Sequence, residues 1–151
     1  MKIVPGFHFR EKMRGSFHRL DAPTQDHALD LSLTVEANDV RKFARDKTWT
    51  LQGTIDAEGL ASHRAVEGTL EMRLFDERRL PYRCRFTGDD GAAYELRGQK
   101  ELVPIAPLDS MTVLPASIYD ARGEEVARAV LRFDARNELV PFLRSFRLAF
   151  A

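Results

Sequence analysis

The chain of 151 residues holds one cysteine, Cys84, and that scarcity excludes an intrachain disulfide and any cysteine-built zinc site. It also has no excess charge. Lysine plus arginine and aspartate plus glutamate number 23 each, so nothing draws the molecule as a whole to nucleic acid or to an anionic membrane. No apolar run is long enough for a membrane span, and the opening MKIVPGFHFREK has none that would serve as a signal peptide. A soluble, cytoplasmic protein in a reducing setting is expected, with no nucleic-acid partner.

Several reaction classes are excluded in the same way. The chain lacks a glycine-rich phosphate loop, a Gly-x-Ser-x-Gly elbow and a dinucleotide-binding glycine fingerprint, so no cofactor is expected. Its four histidines do not assemble. His8 and His18 stand on the polar side of one extended stretch, a separation of about 33 Å along a strand. His27 and His63 fall in expected loops, so no metal site is expected. Cys84 has apolar neighbours by strand parity and reads as a buried, inert thiol.

What the chain does have, almost throughout, is alternation. Leu29, Leu31, Leu33 and Val35 alternate with Asp30, Ser32, Thr34 and Glu36; Trp49, Leu51, Gly53 and Ile55 alternate with threonines and Gln52. The same period of two runs through 66–74, 80–87, 92–103, 111–119, 125–133 and the closing SFRLAF, the mark of half-buried strands. GDDG at 88–91 predicts a hairpin turn, and DARGEE at 120–125 another. The strands at 111–119 and 125–133 carry apolar residues on both faces, so cover on both sides is expected, or a shifted register.

Helix is expected only at 38–47, after an Asn/Asp start signal, and at 135–144, where Pro141 limits it. Neither is long enough for a crossover between parallel strands. Single glycines inside strands, Gly53, Gly68 and Gly98, mark bends where a sheet curls. Together these predict one all-β domain over 1–151. The expected architecture is an antiparallel barrel of about nine strands, closed in the manner of a lipocalin rather than left as an open sandwich, with one or two short helices.

Two residues break the alternation. In GFHFREKM the apolar face of Phe7, Phe9 and Met13 contains Glu11, and in AAYELRGQKEL the face of Tyr94, Leu96 and Leu102 contains Lys100. An isolated buried charge is costly and a paired one is tolerated, so an interior ion pair is one reading. A bulge near Gly15 or Gly98 that returns each charge to solvent is the other. On the opposite side of the first strand, Arg10, Lys12 and Arg14 form a basic row, read as a solvated face.

Phe9-x-Glu11-x-Met13-x-Gly15, LQGTI (51–55), GTLEMRLF (68–75), YRCRFTGDDGAAYELRGQKEL (82–102) and ARAVLRF (127–133) carry a family likeness across most of the chain. In these segments the chain resembles the β-rich accessory domain found beside glucose–methanol–choline-type flavin oxidoreductases related to cholesterol oxidase. The resemblance implies an auxiliary role near lipid or sterol oxidation and assigns no catalytic residue. Without the dinucleotide-binding glycine fingerprint of a flavin domain, the chain would either serve an oxidoreductase partner in trans or be adapted to another role.

Three functional readings follow. The first is a non-enzymatic binding module holding a small apolar, lipid- or sterol-like ligand or assisting an oxidoreductase. Its candidate lining is Phe9, Glu11, Met13, Trp49, Tyr82, Tyr94 and Lys100. The second is an interaction module with a solid core that docks a partner or a second copy by its outer face or an unpaired edge strand, the oligomeric state being open. The third is an enzyme using Glu11 as a buried acid or base.

Overall fold

The computed structural model describes residues 7–37, 48–71, 73, 77–101, 103 and 112–133, with 7–9 and 37 described by backbone alone. Eight antiparallel strands follow one another around a closed barrel: β1 (Phe7–Arg19), β2 (His27–Ala37), β3 (Thr48–Ala57), β4 (Ala61–Glu71), β5 (Arg79–Thr87), β6 (Ala93–Glu101), β7 (Val113–Tyr119) and β8 (Glu125–Phe133). Each strand pairs with the next, and β8 returns to β1 through a register running from Met13 opposite Phe133 to Arg19 opposite Ala127. Closure therefore needs eight strands rather than about nine. The expected strand at SFRLAF and the expected helices at 38–47 and 135–144 lie outside the described residues, among which there is almost no helix.

The alternation is what closes this sheet. Met13 and Phe17 on β1, Leu29, Leu31, Leu33 and Val35 on β2, Trp49, Leu51 and Ile55 on β3, and their counterparts around the ring point inward and are buried. Trp49, Tyr82, Phe17 and Met13 are among the largest fully buried side chains. A small barrel of this strand number has an interior narrow enough for side chains to fill. The strand glycines serve that tightness. A Cβ at Gly53 would stand 1.8 Å from the carbonyl oxygen of Ser32 on β2, so the two backbones approach as closely as they do only because the side chain is missing.

Three of the four described connections are short. GDDG forms the predicted hairpin: the Gly88 amide donates to the Ala92 carbonyl at 2.9 Å, and Gly91 takes a φ of 81°, which a residue with a Cβ adopts reluctantly. Asp89 in that turn fastens the barrel's end. Its carboxylate accepts from the Ser62 amide at 3.0 Å, the Ser62 hydroxyl at 2.7 Å and Arg64 Nε at 2.9 Å.

Four expectations need correction. β4 begins at Ala61 rather than Val66, because residues 62–65 are exposed on both faces and show no alternation. His63 thus lies in a strand, at a φ of 47°, beside a register shift in β3, with its amide donating to Asp56 Oδ1 at 2.7 Å. His27 likewise opens β2 rather than sitting in a loop; its ring meets Phe17 at 5.2 Å and its Nδ1 lies 3.2 Å from Glu58. Finally, β7 and β8 alternate in burial, and the expected cover on both sides is not seen: no described element covers their outer side, where Val130 is 44% exposed.

Candidate functional site

Strands β1 and β5 face each other across an eight-stranded ring, and an inward residue on one reaches the other only through the core. Glu11 of β1 does so. Its Oε1 accepts a hydrogen bond from the Tyr82 hydroxyl at 2.8 Å and from Lys100 Nζ at 2.9 Å, and its Oε2 lies 3.0 Å from the same hydroxyl. Lys100 comes from β6, one strand beyond Tyr82, where it pairs with Leu80 in the β5–β6 ladder. Both charged side chains are entirely buried. The break in the alternation is therefore an interior ion pair, not a bulge.

The ammonium is also held by ring faces. Lys100 Nζ lies 4.3 Å from the Phe133 ring centroid and 5.2 Å from that of Tyr82, in reach of the negative face of each ring. Burial, and then the Glu11 charge, keep the Tyr82 phenol well above its ordinary range, so it remains a donor to the carboxylate. The same two causes push the neighbouring Cys84 thiol up to about 12. Glu11, Tyr82 and Lys100 are thus joined by hydrogen bonds within the core. Glu11 and Lys100 present no surface to water.

The remaining candidates divide. Met13 and Trp49 are buried core residues. Tyr94 is not with them: it is half-buried at the turn end of β6, stacked on Phe86 at 5.6 Å, with its hydroxyl donating to Asp90 at 2.7 Å. Phe9 is placed opposite Val35 by register, and its side chain lies outside the described residues.

A second feature lies on the outer wall, and its full extent is not evident from single strands. The exposed row Arg10, Lys12 and Arg14 on β1 abuts β8, where Arg132 pairs directly with Arg14 and Arg128 with His18. Arg128 continues around the ring through Ser117 to Arg97 and Arg83. Beside this row a groove of about 790 Å³ crosses β5 to β8 and β1, with Gly98, Ala116 and Ala129 at its bottom. Only the ring closure brings Arg132 and Arg128 beside the β1 row; ARAVLRF alone reads as a strand with a polar face.

Among the described residues no group of three metal-ligating side chains gathers, and no helix is long and apolar enough to cross a membrane. No protein-family model, no curated protein and no solved structure matches the chain, which leaves the buried trio and the basic outer wall as the features its chemistry is argued from.

Proposed function

We propose that the protein is a non-enzymatic docking module, a solid-cored barrel that presents its outer wall to a protein partner. The observation that supports this reading is the state of the interior. Glu11, Met13, Trp49, Tyr82 and Lys100, the side chains that would line a ligand chamber, have relative exposures of 0–1%. A void large enough for a water molecule would leave some of their surface accessible, and a ligand pocket usually occupies some hundreds of Å³. The carboxylate that would orient a ligand is already taken up by Tyr82 and Lys100.

The resemblance to the accessory domain of flavin oxidoreductases supplies the class of partner, an oxidoreductase assisted in trans. The competing reading places a small apolar ligand in the same interior. Native mass spectrometry of freshly purified protein separates the two. The docking reading predicts the mass of the chain or its oligomer with no small-molecule adduct. A stoichiometric, lipid-sized adduct released on unfolding overturns it.

A further inference from the structure

We infer that the outer wall of β1 and β8, with the groove beside it, binds an acidic polypeptide segment carrying aliphatic side chains. This rests on the docking reading and names the chemistry of the partner.

The first support is an arrangement that costs the free protein stability. Like charges directly opposite one another across a strand pair are unfavourable, yet Arg14 faces Arg132 and Arg83 faces Arg97. Glu95 compensates the second pair, lying 3.5 Å from Arg83 and hydrogen-bonded to Arg97. The first is hardly compensated. Asp30 lies 4.0 Å from Arg14, whose side chain is 83% exposed. Among the described residues, no ion pair neutralises Arg10 or Arg132. In a chain of zero net charge, this collects cations on one face. Such a face steers and holds an anionic partner.

The second support is the neighbouring groove. Its bottom of Gly98, Ala116 and Ala129 leaves room for side chains, and exposed Val130 stands between the groove and the arginines. An apolar anchor and a charged row together suit a peptide. A continuous anionic surface suits it less, because Asp26 in the groove and Asp30 and Glu125 beside the row would face it with like charge. Adjacent strands stand about 4.8 Å apart, so the row from Arg83 to His18 spans roughly 20 Å, the length of about six extended residues.

The test is fluorescence anisotropy with the full chain and a labelled glutamate-rich peptide containing leucines, at low and at high salt. The expected result is saturable binding that salt weakens. Arg14→Glu with Arg132→Glu should weaken it at least about tenfold, and Val130→Asp or leucine-to-serine peptides should weaken it further. Glu67→Lys on the opposite wall should leave it unchanged. All of these sites are exposed, and thermal melts verify folding; the milder pair Arg14→Gln with Arg132→Gln repeats the test if the reversal does not fold. Absent binding, or binding indifferent to these changes, overturns the inference while leaving the docking reading to native mass spectrometry. Preference for vesicles of equimolar phosphatidylserine and phosphatidylcholine over the peptide also overturns it.

Discussion

Glu11 is tolerated in the core because two donors from two other strands, the Tyr82 hydroxyl and Lys100 Nζ, meet its carboxylate. Removing one partner leaves an uncompensated buried charge. Glu11→Leu or Lys100→Met alone should cost about 3–5 kcal/mol, against about 0–1 kcal/mol for a surface pair. The double substitution should recover much of that loss, seen as strong non-additivity in denaturant melts. Tyr82→Phe removes a hydrogen bond to a charged group and should cost about 1.5–3 kcal/mol.

Asp89 makes a different residue-scale prediction. Its hydrogen bonds from Ser62 and Arg64 lower its pKa to about 2. Since the folded value lies below the unfolded one, its contribution is fully present above about pH 4 and is lost as pH falls toward 2. The stability difference between wild type and Asp89→Asn, followed by urea melts across pH, should therefore be constant above pH 4 to 5 and shrink below it. Cys84, buried and with its thiol pushed up to about 12, should react with a thiol reagent only on unfolding.

At the scale of the strand, parity carried most of the legible information. Where one face meets the core and the other water, as in β2, β3 and β5, the alternation in the sequence is the alternation in burial. It failed at 61–65, because that part of β4 has little to bury and begins beside a register shift. The charged pair was legible because Glu11 and Lys100 violate parity. Tyr82 as their third member was not, since an inward tyrosine obeys it. The basic wall was half legible: β1 shows its row in sequence, whereas Arg128 and Arg132 join it only through the β8–β1 ladder. The close approach at Gly53 gives the prediction for this scale. Gly53→Ala would force β2 and β3 apart and should cost about 1–3 kcal/mol in a denaturant melt, as overpacking does.

At the scale of the molecule, a meander of eight strands closes because β8 has β1 as its last neighbour, which leaves no open edge among the described strands. Closure fills the interior with Trp49, Phe17 and the trio of Glu11, Tyr82 and Lys100, and leaves the outer wall as the exposed surface. Xenon tests directly whether the interior is packed, as a docking module requires, since dry apolar cavities take up the gas. Crystals of the protein pressurised with xenon should show no bound atom among Glu11, Met13, Trp49, Tyr82 and Lys100. An ordered xenon atom there, or density for a carried-through ligand, would show a chamber in the barrel and contradict the account.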